Sequence, residues 1–175
     1  MTKTLVLVGY MGCGKSALGK RLAQVKSLSF IDLDDYIQSN EKTTISQFFE
    51  KKGELNFRQI ERFYLEKLLS EYSQAVISLG GGTPCYFDNI DFVNQREEIV
   101  SFYLKTAPDT LAQRLFDQKD HRPMIAHLDS KQELVKFIAK HLFERIPFYN
   151  KAQHHLSTER QSFDDLANKI DGLLT

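Results

Sequence analysis

The sequence predicts an α/β domain built on a mostly parallel sheet, and three observations carry the expectation. Short apolar runs alternate with helical patterns along the chain. The runs Leu5–Val8, Ala75–Leu79 and Ile99–Leu104 are continuously apolar, as strands covered on both faces must be. A glycine-rich stretch, Gly9–Ser16, separates the first run from a helical pattern. At 175 residues the chain fits a single domain, 1–175, with a sizeable core.

Each element has its own signal. The first helix begins at Lys15, directly after the glycines. "SFIDLD" from Ser29 and "HHLS" from His154 are weaker strand candidates and bring the sheet to five strands. "TISQ" (Thr44–Gln47) is a capping box, and Ile60, Phe63, Tyr64 and Leu68 then recur at helical spacing, read as core. Pro108 and Asp109 suit a first helical turn. Leu134, Ile138, Leu142 and Ile146 form a further stripe, and "SFDD" (Ser162–Asp165) caps a last helix running to about Leu174. The segment of about 117–130 is polar, breaks both periodicities, and reads as a surface loop or a mobile lid.

Composition narrows the function. Lys plus Arg and Asp plus Glu both total 23, so no basic face announces a nucleic-acid partner. Two cysteines, Cys13 and Cys85, give neither a disulfide framework nor metal-ligand spacing. His154 and His155 are adjacent on a strand and face opposite ways, which makes them poor joint metal ligands. No apolar stretch approaches the length of a membrane span, and "MTKTLVLVG" reads as a buried first strand rather than an export signal. A monomeric cytoplasmic protein without a membrane partner is expected.

"GYMGCGKS" (Gly9–Ser16) matches G-x-x-x-x-G-K-[ST], the phosphate-binding P-loop, in the strand–helix context that the motif requires. Gly9, Gly12 and Gly14 free the backbone to turn its N–H groups onto phosphate oxygens. The helix N-terminus adds its dipole, Lys15 reaches the β- and γ-phosphates, and the Ser16 hydroxyl can ligate Mg²⁺. The expected architecture is therefore the three-layer P-loop NTPase fold, a five-stranded parallel sheet between helices.

A P-loop domain can be a GTP switch, a motor ATPase or a small-molecule kinase. No N-K-x-D guanine reader is present, and the third strand runs into "LGGGTP" (Leu79–Pro84) rather than into an acid. Chain length favours the kinase. Asp32 and Asp34 in "FIDLDDY" (Phe30–Tyr36) sit at a strand's carboxyl end, where open α/β sheets bind ligands. They could hold Mg²⁺ through water or accept a hydrogen bond from an attacking hydroxyl. Alternatively this is a helix N-cap with acids in its first turn, a role that suits Asp35 and then Asp34. The triple glycine is either a turn or a wall against which a substrate lies close.

Six segments in order then resemble the shikimate kinases: the P-loop and its helix, "FIDLDDYI", "GELNFRQIE" (Gly53–Glu61), "SLGGGTP", "HRPMI" (His121–Ile125) and "RIPFYNKA" (Arg145–Ala152). The resemblance spans almost the whole chain. It implies ATP-dependent phosphorylation of the 3-hydroxyl of shikimate, with Mg²⁺, in aromatic amino-acid synthesis. It implies that Gly12, Cys13, Gly14, Lys15, Ser16 and Ala17 hold the nucleotide, and that Arg114 and Arg160 contact adenine. Asp34 would hold the substrate hydroxyls, Arg58 and Arg145 the carboxylate, and Gly80, Gly81 and Gly82 the ring. The substrate-binding segment would be about 32–62, and the lid, about 117–130, would bring Arg122 to the transferred phosphate. Ser16 and Asp32 would attend the metal, Asp32 through water. Lys15, Asp34 and Arg122 would carry catalysis.

Two departures stand out. Ala17 lacks the hydroxyl that the family usually places there, and Cys13 replaces a commoner small residue. The Cys13 thiol is either activated by the helix N-terminus or simply a tolerated small side chain. Two rivals remain: a kinase for another hydroxy acid such as gluconate, and a nucleotide-binding regulator without catalysis.

Overall fold

The computed structural model of the protein describes residues 3–119, 122 and 124–174. The element order is β1 (Thr4–Val8), α1 (Lys15–Lys26), β2 (Ser29–Asp32), α2 (Leu33–Glu41), α3 (Ile45–Glu71), β3 (Ala75–Ser78), a short 3₁₀ turn (Thr83–Cys85), α4 (Asn89–Asn94), β4 (Ile99–Lys105), α5 (Pro108–Phe116), α6 (Lys131–Tyr149), β5 (His154–Ser157) and α7 (Phe163–Leu173). All five strands are parallel, in the order β2-β3-β1-β4-β5. β1 lies at the centre, with Leu5 opposite Val76 of β3 and Val100 of β4. Every residue of β1 and β3 is buried, which is why both runs are apolar without alternation. α1 packs on β1, β2 and β3 and against α7, while α5 packs on α6 and α4 on β4.

Helix ends follow side-chain chemistry. The capping boxes at Thr44/Gln47 and Ser162/Asp165 both form. A third, Ser130 with Glu133, opens α6; the local "SKQE" pattern carried that signal and went unread. Asp32, rather than Asp35 or Asp34, is the N-cap of α2: its carboxylate accepts from the Asp34 and Asp35 N–H groups. α4 was not anticipated, because six residues are too few to show a helical period.

Phe63 is a correction. It is 58% exposed, because Phe57, Glu61, Tyr64, Leu65 and Leu68 form the inward stripe of α3 and Phe63 faces away from it. α3 also bends at Gly53, whose φ of 77° and ψ of 169° interrupt the helix. Within the 117–130 segment, which joins α5 to α6, Ile125 is fully buried. The expectations for His121 and Pro123 lie outside the described residues.

Candidate active site

The strand order puts β1 between β3 and β4, so the chain leaves in opposite directions on either side of its carboxyl end. Such a switch point is where open sheets bind ligands, and the Gly9–Ser16 loop lies there. Gly14 is the N-cap of α1 at φ 101° and offers no side-chain cap, which leaves first-turn N–H groups for an outside acceptor. A Cβ on Gly14 would lie 3.1 Å from the Phe163 ring, so the loop is closely backed there. Lys15 is buried, and its Nζ donates to the carbonyls of Gly9 (2.7 Å) and Tyr10 (3.0 Å). The Ser16 hydroxyl donates to Asp32 Oδ2 at 3.1 Å. That pair of oxygens suits a hard cation, and the first turn of α1, which no side chain caps, suits phosphate; the residues present thus fit a metal–nucleotide complex.

Two cavities adjoin at this edge. One, of about 490 Å³, is lined by Gly12, Gly14, Lys15, Ser16, Ala17, Asp32 and Arg114. The other, of about 290 Å³, is lined by Ile45, Phe49, Phe57, Arg58, Glu61, Gly82, His141 and Arg145. Met11, Asp34, Gly80, Gly81 and Arg122 belong to both walls. A group on Asp34 in one cavity therefore faces the contents of the other.

The three glycines after β3 make room for three different side chains. A Cβ on Gly80 would lie 2.9 Å from Asp34 Oδ1, on Gly81 3.3 Å from an Arg145 guanidinium nitrogen, and on Gly82 2.5 Å from one of Arg58. The need is steric. Tyr149, buried at the end of α6, donates its hydroxyl to the Gly81 carbonyl at 2.5 Å and ties this wall to α6.

Arg58 is buried. It donates to Glu61 (2.9 Å) and Glu54 (3.3 Å), and lies over the Tyr86 ring at 4.1 Å. Its Nε is buried without a partner among the described residues. Glu61 is 1% exposed and also accepts from the Thr83 hydroxyl at 2.6 Å. Sequence reading gave Glu61 no role, although its place one turn beyond Arg58 was a legible signal. Burial first, then the neighbouring Asp32 and Glu61 charges, push the Asp34 carboxyl up to about 6, against the pull of Lys15 and Arg58.

Other expectations fare unevenly. Arg114 reaches the larger cavity and donates to the Gly12 carbonyl at 3.2 Å. Arg160 is exposed in the turn before α7 and lines neither cavity. The Cys13 side chain is 1% exposed and packs into the core beside Gly9, so it behaves as a small apolar residue rather than an accessible thiol.

A central β1 leading into a phosphate loop, beside a cavity lined with arginines and two acids, Asp34 and Glu61, defines a P-loop kinase of small anionic molecules. Comparison with known proteins makes this particular. The family model described as shikimate kinase matches residues 11–173. The shikimate kinase of Flavobacterium johnsoniae is 43% identical over 170 residues, covering 97% of this chain and 98% of that one. The crystal structure of the Bacteroides thetaiotaomicron shikimate kinase superposes with a TM-score of 0.89 at 36% identity, covering 98% of both chains. That of Acinetobacter baumannii shikimate kinase in complex with shikimate gives 0.84 at 30% identity, covering 99% of this chain and 93% of that one. The chain belongs to the shikimate kinase family, and it is a phosphotransferase that uses ATP with Mg²⁺ to phosphorylate shikimate in aromatic amino-acid biosynthesis.

Proposed function

We propose that the two adjoining cavities hold donor and acceptor, with the γ-phosphoryl group passing across the wall formed by Asp34, Gly80, Gly81 and Arg122. The observation that supports this is that shared wall. ATP lies in the larger cavity with its phosphates on Gly12–Ala17, and shikimate in the smaller one with its carboxylate toward Arg58 and Arg145. Two guanidinium groups supply charge-assisted, bidentate bonds that a lysine pair could not. Glu61 holds the Arg58 guanidinium through its Nη1 at 2.9 Å.

Asp34 accepts from the 3-hydroxyl of shikimate and holds it in line with the γ-phosphorus. The new O–P bond forms as the bond to the β,γ-bridging oxygen breaks, ADP departs, and the hydroxyl proton leaves to Asp34 or water. With a carboxyl near 6, Asp34 is ionised at neutral pH yet basic enough to take that proton in passing. Lys15 exchanges its loop carbonyls for phosphate oxygens, and Arg122 closes on the transferring group from the lid segment; together they offset its charge. Ser16 and Asp32 would hold Mg²⁺, which would supply further charge neutralisation on the phosphates. Arg114 borders the nucleotide's outer end.

A coupled assay for ADP release tests the assignment, with shikimate and gluconate as alternative acceptors. Turnover with shikimate and background rates with gluconate are expected. Preference for gluconate, or tight ATP binding with no transfer to either, overturns it.

A further inference from the structure

The acceptor cavity contains one polar group that neither the motifs nor the mechanism above uses. His141 lines that cavity and not the nucleotide cavity. It lies four residues before Arg145 on α6, so the two side chains share a helix face. Its ring is held on two sides: Tyr10 meets it edge-on with centroids 5.5 Å apart, and Phe137 at 5.6 Å. The Tyr10 hydroxyl lies 3.0 Å from His141 Nδ1. Tyr10 itself is buried, and its carbonyl is one of the two that Lys15 holds.

Burial pushes the Tyr10 phenol up to about 12, so it keeps its proton and has one to give to Nδ1, the direction the proposal takes. Burial, then the Arg145 charge, hold the His141 imidazole below its usual range, opposed by Glu144 and Glu54. A neutral ring that accepts at Nδ1 carries its proton on Nε2. His141 Nε2 has no partner among the described residues.

We propose that His141 is a third anchor for the acceptor's carboxylate, donating its Nε2–H beside Arg58 and Arg145, and that Tyr10 positions it. The inference rests on the smaller cavity being the acceptor site. Polarity along that cavity says which end of the acceptor His141 meets. Asp34, Gly80, Gly81 and Arg122 border both cavities and so mark the side where phosphate arrives; His141, Arg58 and Arg145 line the smaller cavity and not the larger one. The carboxylate is placed beside these three side chains, because the reacting hydroxyl lies at the shared wall. A ring fixed by two aromatic neighbours and one hydrogen bond gives its donor little orientational freedom to lose on binding.

The test is steady-state kinetics with shikimate and with its carboxamide. For His141→Leu, loss of a hydrogen bond to a charged group predicts KM for shikimate raised roughly 10-fold or more, with kcat within about twofold and KM for ATP unchanged. With the carboxamide, a neutral acceptor, the same variant should lose only about threefold. His141→Gln keeps a neutral donor and should recover most of the loss. Tyr10→Phe should raise KM for shikimate a few-fold in the wild-type background and change nothing further in His141→Leu. An unchanged KM, a loss in kcat alone, an equal loss on the carboxamide, or additive effects of Tyr10→Phe and His141→Leu would each overturn the proposal. If His141→Leu does not fold, His141→Phe, which keeps an aromatic ring between Tyr10 and Phe137 but has no donor, carries the same comparison. Shikimate turnover by the unaltered enzyme tests the cavity's assignment separately, so the two failures are distinguishable.

Discussion

Asp34 shows how one residue's environment links activity to stability. Its carboxyl, raised from 3.8 to about 6, prefers the protonated state when the chain is folded. The stability from that preference is fully present below the unfolded value and is lost as pH rises through about 6. At pH 8 the buried carboxylate thus costs about 3 kcal/mol, from two pKa units at about 1.4 kcal/mol each. Asp34→Asn is expected to lower kcat by at least about 100-fold, in the range of lost acid–base and positioning effects, while leaving ATP binding intact. The same variant should melt at a higher temperature than wild type at pH 8, with the gap closing toward pH 4. In the wild type, kcat/KM for shikimate should fall as pH drops through about 6. Phosphoryl transfer by Asp34→Asn within a few-fold of wild type would remove Asp34 from the mechanism.

Among the elements, α3 matters most to the acceptor cavity. Ile45 and Phe49 precede the bend at Gly53, Phe57, Arg58 and Glu61 follow it, and all five line the cavity. A straight helix would present only one face; the bend lets one element line the cavity from both sides of Gly53. A Cβ at Gly53 would meet nothing within 4 Å, so Gly53→Ala isolates backbone strain from crowding. At φ 77° and ψ 169° that strain is about 1–3 kcal/mol. Thermal melts should fall by roughly 2–4 °C per kcal/mol, and KM for shikimate should rise if the helix straightens to relieve it. An unchanged melt with unchanged KM would mean that the bend is not sustained in solution. The helix caps at Thr44 and Ser162 were legible because both partners lie within four residues. The bend was not, because a glycine within a helical pattern does not announce which way the chain turns.

In the molecule as a whole, the shared wall makes the proposed donor and acceptor sites neighbours without making them one. Each ligand should therefore stabilise the fold on its own. At 100 times its dissociation constant, either contributes about 2.7 kcal/mol, a rise in melting temperature of roughly 5–11 °C. Lys15→Ala should abolish the nucleotide's shift and preserve that of shikimate, as read by differential scanning calorimetry. Loss of both shifts together would show that the acceptor cavity depends on the phosphate loop.

The sequence by itself determined the strand and helix order, the phosphate loop and the ordered motifs that point to shikimate. Each is written in contiguous residues, where periodicity, caps and glycine spacing act locally. Only the tertiary structure decided which groups meet. It turned Glu61 inward onto Arg58 and Thr83, and displaced Phe63 from the core as a consequence. Gly80, Gly81 and Gly82 each leave space for a side chain from a distant segment, and Arg160 falls outside both cavities. Tyr10 is brought to His141 across 131 residues of chain. Such meetings depend on how parallel strands are ordered and how helices cross them, and no local pattern records either. Asp34 could be picked out as an acid at a strand end, but its affinity for a proton is set by the burial and neighbours that folding supplies.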